Sequence, residues 1–370
     1  MKIVIDARMI QESGIGRYLR NLISGLENGA KNEYIILLLK KDFGKFNFKN
    51  NFRKVIADFR WYGISEQIRL PKILHSLKPD LVHFPHFNTP LFYDGKFVVT
   101  IHDLIHQNFQ MKRATLLNPI SYKIKQLGYK IVFKNAVSKS AKILTPSNYV
   151  KDLLIKQWGV RREKITVTYE AVDDKIFTIV NKMNQQKVDN VMEKFNIKQP
   201  YIFYVGNAFP HKNVEGLIKT FLILKKNYQN LQLVLSGGDH YFWQRIKKEF
   251  NLKDIIYTGF ITDEELVALY KASKAFVMPS FEEGFGIPIL EAMASGAVVV
   301  SSNVGALPEV GGDAVLYFDP HNTLDMTDKI QQVLESDKLR QELIKKGKIR
   351  VKQFSWEKLA KQTLEIYENV

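Results

Sequence analysis

Thirteen short apolar runs recur along this chain, and most are separated by a longer segment of helical period. In the first half the runs are Lys2–Asp6, Tyr34–Leu39, Lys54–Ile56, Asp80–Phe84, Phe97–His102, Lys142–Pro146 and Lys164–Thr168. In the second half they are Tyr201–Gly206, Leu231–Ser236, Ile255–Gly259, Ala275–Pro279, Ala297–Ser301 and Ala314–Phe318. Helix-period stretches such as Arg17–Leu26, Ser65–Leu77, Val214–Lys226, Asp263–Lys271 and Ile287–Ser295 lie between them. Strands that are apolar almost throughout, joined through helices, belong to parallel sheets covered on both faces. The pattern restarts after a polar stretch at Lys182–Asn190. It therefore predicts an α/β protein of two doubly wound domains, residues 1–170 and 171–355, with the boundary near 171–200. Trp356 to Tyr367 reads as a closing helix with no strand after it.

The length of 370 residues fits two domains, because single cores rarely grow past roughly 250–300 residues. The chain has no cysteine, which excludes disulfides, thiolate metal sites and cysteine nucleophiles. Apolar runs such as Ile35 to Leu39 fall far short of the roughly 18 residues a membrane span needs. Asp6 and Arg8 interrupt the first apolar stretch, so no secretory signal is expected. These features predict a soluble, cytoplasmic protein. Charge is unevenly placed: residues 1–170 hold 29 Lys+Arg against 13 Asp+Glu, whereas residues 171–370 hold 25 of each. The net +16 thus belongs to the first half, which points that half toward an anionic partner.

Two doubly wound domains facing a cleft present loops and helix N-termini at the carboxyl ends of their strands, where ligands bind. Ser13-Gly14-Ile15-Gly16-Arg17-Tyr18 follows the first strand; its glycines suit either an anion at a helix N-terminus or a tight strand-to-helix turn. It lacks the three-glycine spacing of a dinucleotide fingerprint. Gly206-Asn207-Ala208-Phe209-Pro210-His211-Lys212-Asn213 takes the equivalent place in the second half, and Lys212 there can neutralise phosphate charge. The most informative stretch is Pro279 to Ala292, which holds Glu283-Gly284-Phe285-Gly286-Ile287-Pro288 and Glu291. Pro288 suits a first helical turn, so Glu283 falls in the preceding loop and Glu291 inside the helix. Free N–H groups at Gly284 to Ile287 would meet an anion.

His102 and His106 stand four apart, and His83 and His86 three apart. The first pair starts at a strand end and lacks the glutamate of a zinc-protease helix. No Asp-x-Asp occurs, so no metal is expected, and His102 reads as a hydrogen-bonding group. Residues His83 to Pro90 suit the wall of a substrate pocket. Segment 111–142 carries Lys112, Arg113, Lys123, Lys125, Lys130, Lys134, Lys139 and Lys142 with no acid. With Leu116, Ile120, Leu127 and Ile131 interleaved, it reads either as a helix resting on an anionic bilayer or as a core helix with a solvated face. No nucleic-acid recognition module accompanies the charge, so no nucleic acid is expected as partner.

Together these motifs resemble family 4 of the retaining glycosyltransferases, which have the two-Rossmann-domain GT-B architecture. The resemblance rests on Ser13–Tyr18, Thr100–Leu104, Thr145–Ser147, Tyr204–Asn213, Pro279–Ala292 and Gly305–Glu309 with Asp313-Ala314. The Glu283–Glu291 block is its most specific element, and bacterial O-antigen, capsule and mannosyl transferases are the nearest in kind. It implies that Gly14 and Gly16 lie near a donor diphosphate that Lys212 contacts. Glu283 would hold donor sugar hydroxyls beside the backbone of Gly284, Phe285, Gly286 and Ile287. Glu291 would bind the ribose, Phe260 and Ile261 would flank the base, and His102 would reach the transferred sugar. Asn207 and His211 stand where family members often carry arginine, which leaves Lys212 more alone against the diphosphate. The resemblance also implies that Trp356–Tyr367 packs back on the first domain.

The donor implied is a nucleotide sugar such as GDP-mannose or a UDP-sugar, used without metal or other cofactor, and the acceptor a glycan or lipid-linked glycan at the inner membrane face. Retention without a carboxylate nucleophile implies front-side displacement, in which the leaving phosphate takes the acceptor proton. A GT-B epimerase or phosphorylase, a non-catalytic sugar-binding subunit and a basic nucleic-acid binder are the competing readings.

Overall fold

The computed structural model describes residues 1–27, 32–49, 51–105 and 119–370. The chain divides into two compact units. One comprises Met1–Leu104, Thr115–Glu170 and Ser355–Val370; the other is built on Ala171–Phe354.

The first unit holds a seven-stranded sheet ordered β3-β2-β1-β4-β5-β6-β7. Its strands are β1 Lys2–Asp6, β2 Glu33–Leu38, β3 Phe52–Ile56, β4 Leu81–Phe84, β5 Phe97–Thr100, β6 Lys142–Thr145 and β7 Ile165–Val167. All neighbours run parallel. The second unit holds a six-stranded parallel sheet ordered β10-β9-β8-β11-β12-β13. Its strands are β8 Tyr201–Val205, β9 Gln232–Ser236, β10 Ile255–Gly259, β11 Ala275–Met278, β12 Val299–Ser302 and β13 Val315–Phe318. All thirteen runs predicted from the sequence are strands, with ends moved by a residue or two. They were readable because both faces of a parallel sheet are covered: Ile3, Val4 and Ile5 of β1 and Tyr201 to Tyr204 of β8 are fully buried.

Each sheet starts at its centre, winds outward in one direction, then returns to add strands on the other side. The reversal lies between β1 and β4 in one sheet and between β8 and β11 in the other. Loops after those two strands diverge and leave a crevice, the topological switch point. The polar stretch at Lys182–Asn190 is less a break than the sequence suggests. The helix Gln185–Lys194 begins within it, its start capped by the Asn184 side chain accepting from Lys187 N at 3.0 Å.

The last helix, Trp356–Glu368, packs along Gly14–Glu27 inside the first unit. It is tied to the sheet by a fully buried chain of polar groups. Tyr367 OH lies 2.5 Å from His83 Nδ1, His83 Nε2 lies 2.8 Å from Thr100 Oγ1, and Thr100 Oγ1 lies 2.9 Å from Tyr18 OH. Burial, and then the neighbouring His102, push the His83 imidazole down to about 3. A neutral ring with one donor and one acceptor nitrogen satisfies both hydroxyl neighbours, so His83 is a structural histidine. Its depressed value sets a sign. Below about pH 6.5 the unfolded chain binds a proton that the folded chain refuses, so stability falls as pH drops from there toward 3, by at most ~1.4 kcal/mol per unit. Urea unfolding between pH 7 and pH 4 should show this slope, and His83→Gln should flatten it. An unchanged slope in the variant would remove His83 as its source.

Candidate active site

In the second unit the crevice between β8 and β11 is bounded by residues 206–213 and 279–286. A backbone bond from Phe281 N to His211 O, 2.7 Å, staples the two loops. Pro210–Lys212 forms one tight 3₁₀ turn that ends on Asn213 in the left-handed conformation, φ 53°. Asn213 is anchored in turn by its side-chain amide donating to Pro320 O at 3.2 Å. Lys212 is thereby aimed across the crevice. Its Nζ donates to both carboxylate oxygens of Glu283, 2.7 Å to Oε1 and 2.9 Å to Oε2. Lys212 and Glu283, predicted independently from two motifs, are thus brought into contact.

Glu283 is held as firmly. Ser280 Oγ donates to its Oε1 at 2.6 Å, and Ser302 Oγ donates to Ser280 O at 2.7 Å. Its backbone is pressed against Gly305, φ 64°, where a Cβ would stand 2.7 Å from Glu283 O and 2.9 Å from Glu283 N. Any side chain at position 305 would push the Glu283 loop away. Gly286, φ 104°, then turns the chain into the helix Ile287–Ala294, with Pro288 in its first turn. Gly286, beside Phe285, therefore serves a left-handed turn, and Gly305 a close approach. Phe285 itself is buried, its ring edge-on to Phe354. Gly284 and Ile287 are buried beside it, and Glu291 is buried within the helix.

The other predicted donor residues lie on neighbouring loops of the same sheet. Asn207 follows β8 and accepts, through its carbonyl, from Tyr204 OH at 2.6 Å. Phe260 and Ile261 follow β10. They are held between Gly259, φ 73°, and a capping box in which Thr262 and Glu265 satisfy each other's backbone N–H. Phe260 is 84 % exposed, an unusual placement for phenylalanine, and so offers an open ring face.

In the first unit Gly14 opens the helix Gly14–Glu27, with open space beside it. Gly16 has a packing reason of its own, because a Cβ there would stand 2.5 Å from Ile10 O. β5 ends at Thr100, so His102 stands in the loop beyond it. Its Nδ1 lies 3.0 Å from Glu170 Oε1, and its Nε2 lies 3.0 Å from Pro85 O. The first sheet's own switch point is occupied by charge: Arg8 contacts Asp6 and Glu66 at 2.6 Å each, all three buried. Burial pushes the Glu66 carboxyl up, opposed by Arg8. The cavity beside them, lined in part by Phe84, Pro85, His86 and Asn88, measures about 10 Å³, room for about one water. His106 lies outside the described residues. Among the described residues no three His, Cys, Asp or Glu side chains converge as a metal site requires.

Three contributors escaped the sequence reading. Glu170 lies 68 residues from His102, Ser280 is one small residue inside a motif, and Ser302 supports it from the next strand. No local pattern marks any of them.

The side chains of Lys212 and Glu283 are 20 % and 8 % exposed. Removing one partner of such a pair leaves a poorly solvated charge, whereas removing both removes the conflict. Lys212→Met should cost about 1–3 kcal/mol of unfolding free energy, and adding Glu283→Gln should recover part of that loss. Strictly additive losses in denaturant unfolding would show that the two groups do not interact.

Comparison with known proteins accords with this geometry. Residues 13–175 match the family described as Glycosyltransferase Family 4, and residues 186–350 match Glycosyl transferases group 1. The chain is 30 % identical to the O-antigen chain mannosyltransferase B of Escherichia coli, over the whole of both chains. It is 29 % identical to the O-antigen chain mannosyltransferase RfbU of Salmonella typhimurium, over 74 % of this chain and 70 % of that one. Among solved structures, sucrose-phosphate synthase of Thermosynechococcus elongatus superposes with a TM-score of 0.77 at 20 % identity, covering 100 % of this chain and 98 % of that one. The Anabaena HepE protein in complex with UDP-glucose also reaches 0.77, at 16 % identity over the full length of both. Two parallel-sheet Rossmann-like units, a full-length relative and both family matches agree: the chain belongs to the family 4 glycosyltransferases, with the GT-B fold.

Proposed function

We propose that this glycosyltransferase moves a hexose, mannose or a close relative, from a nucleotide-diphosphate sugar to a glycan or lipid-linked acceptor, with retention, in the building of a bacterial surface polysaccharide such as O-antigen. The observation that carries the reading is the Lys212–Glu283 contact at the β8/β11 switch point. A donor brings both charges new partners at once: its diphosphate takes the ammonium, and a sugar hydroxyl donates to the carboxylate. The helix Ile287–Ala294 starts beside the same loop, and its N-terminal dipole favours an anion there. Glu291 accepts from the ribose hydroxyls, and the exposed Phe260 ring lies against the base. The relatives named as mannosyltransferases support the choice of sugar and pathway.

In the transfer, the bond from the sugar's anomeric carbon to the diphosphate oxygen breaks, and a bond to the acceptor oxygen forms on the same face. The acceptor's proton passes to the departing diphosphate oxygen, whose growing charge Lys212 stabilises. A non-catalytic sugar-binding protein of the same fold would bind donor without this turnover.

Purified protein should transfer sugar from GDP-mannose, or from another nucleotide sugar that raises its Tm, to a lipid-linked or short glycan acceptor. Glu291→Ala should weaken donor binding about tenfold or more, as loss of a hydrogen bond to a charged group predicts. Glu283→Ala should lower turnover more than it lowers binding of the bare nucleoside diphosphate. Activity should survive EDTA, because Lys212 and backbone N–H groups answer the diphosphate charge. Wild-type kinetics in both variants, or loss of turnover in chelator restored by magnesium, would reject this donor site.

The acceptor side extends to an anionic membrane surface. Among the described residues no helix is long and apolar enough to cross a membrane. In segment 111–142, residues 111–118 lie outside the described residues, and the rest begins with the helix Pro119–Lys139. From residue 125 onward it exposes Lys125, Lys130 and Lys134 together with Leu127 (61 %) and Ile131 (49 %). Leu127, Lys130, Ile131 and Lys134, spaced i, i+3, i+4 and i+7, put basic and apolar groups on one exposed side, which suits an anionic bilayer at about 1 kcal/mol per basic residue. Liposome co-sedimentation should require anionic lipid and low salt. Reversing Lys125, Lys130 and Lys134 to glutamate should abolish it while sparing transfer to a soluble acceptor. Equal sedimentation with neutral lipid would reduce the face to a solvated one.

A further inference from the structure

At the carboxyl ends of β1, β2 and β3 the first unit frames an open cavity of about 820 Å³, within the size range of small-molecule sites. Lys40 and Lys41 come from the turn after β2, Asp58 to Tyr62 from the loop after β3, and Glu12 from the segment after β1. Lys40 N donates to Asp58 Oδ1 at 3.1 Å and ties the first two loops together. The loop after β3 is held at both ends by buried charge. Arg8 Nη1 donates to Phe59 O at 3.3 Å, and its guanidinium lies over the Phe59 ring, 4.9 Å from the centroid. At the other end Tyr62 N donates to Glu66 Oε2 at 2.9 Å. Tyr62 adopts φ 65°, a left-handed conformation that costs a residue other than glycine. Arg8 and Glu66, a buried pair of a kind that adds little net stability, thus hold a strained turn in place. Between the two braces Arg60 and Tyr62 are exposed and Trp61 is half-buried. Among the described residues the side chains of Lys40, Lys41 and Arg60 form no hydrogen bond or ion pair.

We propose that this cavity binds an acidic saccharide: a sugar ring lies on Trp61 and Tyr62, and Lys40, Lys41 and Arg60 take its phosphate or carboxylate. The C–H face of a sugar is apolar and suits an aromatic surface, whereas its hydroxyls both donate and accept and so can use cations and Glu12 alike. The anionic group answers three unpaired cations through charge-assisted bonds. A neutral sugar would leave those cations unanswered. A polyanion such as a nucleic acid would press further phosphates against Glu12 and Asp58, which like charge disfavours. Every residue of the site belongs to the first unit, and no donor is needed to fill it, so the inference goes beyond the transfer reaction.

The test is isothermal titration of the full-length protein, without nucleotide sugar, with mannobiose 1-phosphate, a hexuronosyl-mannose disaccharide and neutral methyl mannobioside. At least one acidic disaccharide should bind about tenfold or more tightly than the neutral one, and which of them does so names the acidic group. Lys41→Gln combined with Arg60→Gln, both at exposed positions, should erase that advantage without lowering Tm. Trp61→Ala should weaken all three ligands, and Lys212→Met should change none. Equal affinity for acidic and neutral sugars, no binding of either acid, or binding lost in Lys212→Met and kept in the Lys41/Arg60 variant would overturn the proposal. Binding as expected in a protein that turns over no nucleotide sugar would uphold this site and overturn the transferase reading instead.

Discussion

A lysine and a glutamate held in contact where the second sheet reverses direction are the arrangement on which the rest of that unit converges. Starting β8 at the centre and returning with β11 places first and fourth strands side by side, so their loops share one crevice. The Phe281–His211 backbone bond sets the loops' spacing, the 3₁₀ turn aims Lys212, and Ser280 and Gly305 fix Glu283 from below and behind. The result is a preorganised pair of opposite charges, mutually compensated while no ligand is bound. A ligand with an anionic group for lysine and a hydroxyl donor for glutamate can separate them without stranding either. A simple anion would take Lys212 and leave Glu283 uncompensated in a nearly buried place, which is costly. The pair therefore favours ligands that carry both chemistries, and a nucleotide sugar is one.

The first unit has the same winding and a different outcome. Its reversal point is filled by Asp6, Arg8 and Glu66, buried and bonded to one another, beside room for about one water. The two reversals thus differ in their charges, a buried Asp6–Arg8–Glu66 cluster at one and the Lys212–Glu283 pair at the other.

What could be read from the sequence follows from how local each cause is. Strands of a parallel sheet announce themselves because nearly every residue is buried, and so all thirteen were visible. Lys212, Glu283 and Glu291 were visible because glycine, proline and charge cluster within a few residues of them. Ser280 was inside the same motif but gave no sign of its hydrogen bond. Glu170 and Tyr367 were out of reach, since they meet His102 and His83 across 68 and 284 residues and depend on which strands and helices become neighbours. The helix Gln185–Lys194 was hidden for the opposite reason. It buries only Val188, with Val191 and Met192 half-buried, so its apolar period is too short to stand out, and its cap at Asn184 is its clearest local signal.

Histidines 83 and 102 show how two neighbouring rings of one type take different work. Both adjoin Tyr18, at centroid distances of 6.3 Å and 4.9 Å, and both have a protein group at each ring nitrogen. His83 has hydroxyls on both sides, from Tyr367 and Thr100, in a fully buried place. Hydroxyls adapt to a neutral ring by turning, so burial can suppress protonation without leaving a bond unmade. His102 has instead a carboxylate on one side and a carbonyl on the other, neither of which can turn into a donor while the carboxyl is ionised. Its side chain keeps 15 % of its surface exposed. A buried ring between adaptable partners serves as a bolt for the terminal helix. A partly open ring between two acceptors is instead held at both nitrogens by Glu170 and the Pro85 backbone.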